Sequence, residues 1–204
     1  MALLHWGLPP RRSKSWALGS GQSSRTEPAQ CFVRAHPDRV NSLVLAQTGL
    51  RHFVGAGPIT ALRWLCQASP DRVVHWLIWR TWRVLLADIG PDQQFWTNLL
   101  RSILYTELTK PDLIAMMAAI SDFTAHHRSK PGDLTGWSRP VLVLQSERDG
   151  AFAAQADEIR AAYPSAVFHI IPRAGHGALF SHTDLYIQQI HTFLAKHPTP
   201  MQPT

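Results

Sequence analysis

Two ionisable residues occupy matched places in the last third of the chain. Asp149 stands just past the apolar run Val141-Leu142-Val143-Leu144, and His176 just past a second run, Val167-Phe168-His169-Ile170-Ile171. Both runs are short and rich in β-branched and Leu residues, and they read as buried strands. Amphipathic stretches follow, Ala154 to Ala162 and Asp184 to Leu194, and these read as helices. Short buried strands alternating with helices make a parallel sheet. A carboxylate and an imidazole then come to its carboxyl edge, where open α/β sheets bind their ligands. The plainer reading of the same pattern is that Asp149 caps a helix and His176 closes a loop.

The elements that must hold these residues begin at the amino end. Leu3 to Leu8 reads as the end of a helix broken at Pro9-Pro10, and Trp16-Ala17-Leu18 as a short strand. Gly19 to Arg25 is a turn, Thr26 to Ala35 a helix with Pro28 in its first turn, and Ser42 to Ala46 the next strand. From about Leu50 to Trp137 the pattern is helical: Thr60 to Cys66, Asp71 to Ala87, Asp92 to Tyr105 and Pro111 to His126. Pro70-Asp71 opens the second of these helices, and Leu113, Met116, Met117, Ile120 and Phe123 form a stripe on the fourth.

The pair Asp149 and Ala174-Gly175-His176 resembles the acid and base of the α/β-hydrolase family. There a nucleophile elbow, an acid and a histidine follow one another in the chain. Phe32 to Val40 followed by Leu43-Val44-Leu45 resembles the family's helix and strand after the elbow. Counting back from that helix puts Ser23 at the nucleophile position, with Ser20 and Ser24 fitting the spacing less well. Gly21-Gln22-Ser23 matches the first half of Gly-x-Ser-x-Gly, and Arg25 stands where the second glycine would be. The resemblance implies a Ser23, Asp149, His176 triad, with the backbone N–H of Ser24 in an oxyanion hole.

The fold it implies is α/β, a partial α/β-hydrolase fold of four mostly parallel strands flanked by helices, with a helical cap insertion. Residues 1–50 and 138–197 would form the core, 51–137 the cap or lid, and 198–204 a disordered tail. Only about twenty residues precede the elbow, too few for the strand and loop that supply the family's second oxyanion donor. The expectation is therefore a truncated form whose Met1 is not the true start. The strand near Ala17 would then be an exposed edge, open to self-association.

Composition narrows the partners. The chain has 204 residues, 45% of them apolar, a net charge of +6 and two cysteines, enough for one domain with a sizeable core. The positive charge comes from scattered arginines, with Arg11-Arg12-Ser13-Lys14 as its cluster, and no nucleic-acid module is recognisable. Cys31 and Cys66 form no metal or redox motif and lean towards a reducing compartment, so a cytoplasmic location is expected. No apolar run reaches membrane-spanning length. His75, His126 and His127 lack metal-ligand spacing, and neither metal nor cofactor is expected. Trp64, Trp76, Trp79, Trp82 and Trp96 lie in the cap region. They suit helix packing first and a small apolar or amphipathic acyl substrate second. The functional expectation is a serine hydrolase of esterase type acting on an ester or related carbonyl. A non-catalytic binding or scaffolding protein, or an inactive fragment, is the alternative.

Overall fold

The computed structural model describes residues 2–6, 26–50, 54–85, 92–127, 129–130, 132–134 and 136–197. Its centre is a four-stranded sheet in sequence order, β1 (Ala2–Trp6), β2 (Val40–Ala46), β3 (Val141–Ser146) and β4 (Val167–Ile171). β2, β3 and β4 are parallel, with Leu43 opposite Val141 and Leu142 opposite Val167. All six residues of β3 are buried, as both-face coverage requires of a central parallel strand.

The amino end corrects one expectation. Residues 2–6 form a strand, not a helix end, and β1 runs antiparallel against β2 with Leu4 opposite Leu43. Among the described residues the flank of β2 is thus taken by β1. The strand expected at Trp16–Leu18, with its open edge, lies outside the described residues.

Period-two alternation along β2 and β3 splits the core into two layers. Leu43, Leu45, Val141 and Val143 pack on one face against Ala29 and Val33 of α1 (Thr26–Ala35) and Ile159 and Ala162 of α6 (Ala156–Ala162). Val44, Ala46, Leu142 and Leu144 pack on the other against Tyr186, Ile190 and Phe193 of α8 (Thr183–Lys196). Each such large apolar side chain stabilises the fold by roughly 1.5–3 kcal/mol on burial. Helices on both faces of a parallel sheet leave its carboxyl edge open for a site.

Between β2 and β3 the chain forms a helical layer: α2 (Ala56–Ala68), α3 (Asp71–Leu85), α4 (Gln93–Ser102) and α5 (Lys110–Asp122). α4 and α5 each run on into a wider π turn, over Ile103–Glu107 and Phe123–His127. The layer has its own apolar cluster, with Cys66, Val74, Ile78, Leu104, Leu113, Met117 and Ile120 buried together. α5 starts where the sequence provides a reciprocal cap. Thr109 accepts from the Asp112 N–H while the Asp112 carboxylate accepts from the Thr109 N–H at 2.9 Å. Lys110 Nζ donates to Gln67 O at 3.0 Å and Ser69 O at 2.7 Å, placing a cation at the carboxyl end of α2. Among the described residues no helix is long and apolar enough to cross a membrane.

Candidate active site

The turn after β3 and the loop after β4 meet at the carboxyl edge of the sheet, laced by backbone hydrogen bonds. The Glu147 N–H donates to Ile171 O at 3.1 Å and the Arg148 N–H to Ala174 O at 2.9 Å. In return the Glu147 carboxylate accepts from the Arg173 N–H at 2.6 Å. Arg173 adopts a left-handed backbone, φ 57°, and so bends the chain sharply out of β4. Both segments are fixed before any site side chain is considered.

Asp149 and His176 are the side chains this lacing brings together. His176 Nδ1 lies 3.0 Å from Asp149 Oδ2 and 3.2 Å from Oδ1. The two residues are only 5% and 2% exposed, so the pair is shielded from water. Asp149 Oδ1 also accepts from the backbone N–H of Ala151 at 2.9 Å and of Phe152 at 3.3 Å. These donors fix the carboxylate in place. The carboxylate on Nδ1 fixes the orientation of the imidazole, and a ring held this way can exchange a proton through Nε2. The Phe152 ring stands 5.4 Å from the imidazole, tilted by 41°, and packs against it. The geometry goes beyond separate capping roles, because each group is the other's polar partner inside the fold.

Ser23, Ser24, Ser20 and Arg25 lie outside the described residues. What is described is the helix they lead into, α1, whose first residue Thr26 stands three positions after Ser23. The loop leaving β2, residues 47–50, lies nearby in the fold and is held by three buried glutamines. Gln30 of α1 donates from Nε2 to Gly49 O at 3.1 Å, and Gln155 Oε1 accepts from the Leu50 N–H at 3.1 Å. Gln47, at φ 50°, donates from Nε2 to the Ser146 hydroxyl. The expected site residues did not include Gln47 or Glu147. Glu147 stands two positions before Asp149, but only folding brings Arg173 to it. Gln47 carried no local signal, since a polar residue after a strand is ordinary.

The helical layer approaches this edge through α4. Trp96 packs on Phe180 at 4.6 Å, and Phe180 belongs to α7 (Ala178–Ser181), the short helix that follows His176. A cavity of about 410 Å³ opens beside it, lined by Asp92, Phe180, Ser181, His182, Thr183, Asp184 and Leu185. The other histidines sit elsewhere. His126 and His127 share the exposed Asp122 carboxylate at 3.0 and 3.3 Å. The two nitrogens of His75 face Asp71 O and Leu108 O, each at 2.8 Å. Among the described residues no group of three or more His, Cys, Asp or Glu is arranged to hold a metal ion.

No protein-family model matches the sequence, and no curated protein matches it. Solved structures do. An enol-lactonase from Burkholderia xenovorans superposes with a TM-score of 0.69 at 17% identity, covering 86% of this chain and 64% of that one. An alpha/beta hydrolase enzyme from a Medee basin deep-sea metagenome gives 0.64 at 14% identity, covering 90% and 66%. A thermophilic esterase from Thermogutta terrifontis gives 0.62 at 23% identity, covering 87% and 64%. The chain thus has the α/β-hydrolase fold in part, spanning just under two thirds of the length of each of these structures.

Proposed function

We propose that this chain is a serine hydrolase of the esterase type, with Ser23 as nucleophile, His176 as base and Asp149 as the acid that orients it. One observation carries the reading: a buried carboxylate, held by two backbone N–H groups, grips Nδ1 of a buried histidine at the carboxyl edge of a parallel sheet. Pairing of this kind sets the tautomer and stabilises the imidazolium that forms during acyl transfer. The likeness to an esterase and an enol-lactonase supports carbonyl chemistry.

In the proposed reaction Ser23 Oγ attacks the acyl carbon and His176 Nε2 takes its proton. The tetrahedral oxyanion is held by the Ser24 N–H and a second donor. His176 then returns the proton to the leaving group, and water attacks the acyl-serine by the same relay. A serine nucleophile favours acyl substrates over the epoxides and haloalkanes that a carboxylate would open. Residues 1–50 and 138–197 would serve as the core and 51–137 as a cap, whose tryptophans suit a small apolar or amphipathic acyl group.

The test is labelling by a fluorophosphonate, with the modified peptide mapped by mass spectrometry. The expected result is one label on Ser23, absent in Ser23→Ala. A folded sample that takes no label, or takes it on Ser20 or Ser24, contradicts the assignment. Arg25 favours a second reading, a non-catalytic hydrolase-fold binding protein, because the elbow needs small neighbours around its strained serine. Arg25→Gly separates the two. A hydrolase gains labelling rate or keeps it, whereas a binding protein stays unreactive.

A further inference from the structure

We propose that Gln30 couples the two crossings of the chain between the sheet and the helical layer, holding that layer in place from α1. The chain leaves the sheet through residues 47–50, after β2, and returns past Ser129 and Asp133, before β3. Gln30 is 0% exposed, and its single amide group reaches both segments. Nε2 donates to Gly49 O at 3.1 Å on the way out. Oε1 accepts from the Ser129 hydroxyl at 2.9 Å on the way back. The same oxygen accepts from the hydroxyl of Tyr163, at the end of α6, at 3.3 Å.

The orientation of the amide follows from its partners. A backbone carbonyl only accepts, so Nε2 must face Gly49 O, and Oε1 is left for the two hydroxyls. Arg34 stands one turn along the same face of α1 and repeats the grip on the returning segment. Its guanidinium donates to the Ser129 hydroxyl and to His127 O, and lies 3.7 Å from the Asp133 carboxylate. Ser129 Oγ thus accepts from Arg34 and gives its own proton to Gln30. On the exit side Gln155 Oε1 accepts from the Leu50 N–H at 3.1 Å. A buried residue that only filled space would be better apolar, because an amide is costly to bury unless its groups are bonded. Two segments bonded to opposite ends of one amide do not move independently, since a shift at Ser129 displaces the group that holds Gly49. Where the layer serves as a cap, Gln30 is a positioning residue for the pocket beneath it. That consequence rests on the hydrolase reading, and the coupling itself does not.

The test is amide hydrogen exchange of the intact chain, followed by NMR. The Leu50 N–H reports the exit, and the Asp133 N–H, bonded to Lys130 O at 3.1 Å, reports the return. The amides of α8 serve as the reference for global opening. Gln30→Met keeps the volume and removes the amide. It is expected to speed exchange about tenfold at both reporters, the effect of losing one buried hydrogen bond at each, with α8 unchanged. Ser129→Ala alters the returning segment alone, yet the coupling predicts faster exchange at Leu50 too. The double variant should go no further at Leu50 than Gln30→Met, because the effect of Ser129 travels through Gln30. Unchanged exchange at Leu50 in Ser129→Ala makes the crossings independent and overturns the proposal. So does a rise shared equally by α8, which would reduce Gln30 to general packing. If Gln30→Met fails to fold, Ser129→Ala decides by the same two signals. The exchange pattern supports the coupling whether or not Ser23 takes a fluorophosphonate label, so failure of the hydrolase reading is told apart from failure of this one.

Discussion

Four contacts converge on the Asp149 carboxylate, two from backbone N–H groups and two to one imidazole nitrogen. Their chemistry predicts what a single-atom change does. Asp149→Asn keeps the shape but offers His176 Nδ1 an amide, which favours the wrong tautomer. The rate of Ser23 labelling should fall by about a hundredfold or more, with far-UV circular dichroism unchanged. An unchanged rate would reduce the carboxylate to a cap. At this scale the sequence was legible where chemistry and position coincide. Asp149 and His176 stand at strand ends, and the alternation of strand and helix is enough to bring them to one edge. It was silent on Gln47, because its partner Ser146 lies on an element distant in sequence and no periodicity encodes a buried polar contact.

Most elements follow from pattern, and the departures have local causes. Apolar spacing identified all four helices of the layer, but α2 starts earlier than Thr60, at Ala56, and α4 and α5 end in π turns. Wider turns at helix ends answer packing demands that a fixed period cannot express. The largest misreading was residues 2–6, where a short apolar segment fits a strand or a helix equally and the flank of β2 selects the strand. Two predictions belong to elements. A Cβ on Gly49 would come within 2.5 Å of Gln155 Oε1, the atom that accepts from the Leu50 N–H. Gly49→Ala should therefore lower stability by about 1–3 kcal/mol, read from the urea midpoint. A neutral result would mean that the loop leaving β2 is loosely held. In the helical layer, Leu113 is 1% exposed at the centre of its cluster. Leu113→Ala should cost about 2–5 kcal/mol by the same measurement, and a loss below about 1 kcal/mol would contradict tight packing there.

Across the molecule, a two-faced core supports the sheet edge where Asp149 meets His176, and two buried tyrosines make its stability fall at alkaline pH. Burial raises both the Tyr163 and the Tyr186 hydroxyl above the ordinary phenol range. The unfolded chain then gives up these protons first as pH passes about 10. Their contribution to stability is complete below that point and is lost above it. The urea midpoint should fall between about pH 9 and 11, and the fall should be shallower in a Tyr163→Phe, Tyr186→Phe variant. An equal fall in both proteins would assign the loss to other groups. The chain spans just under two thirds of the structures it resembles, so its own chemistry must be tested on the chain itself. The most direct measurement compares fluorophosphonate incorporation by intact mass in the unsubstituted chain and in His176→Gln. The relay predicts one equivalent on Ser23 in the first and only background labelling in the second. Equal incorporation in both, or incorporation away from Ser23, would contradict it.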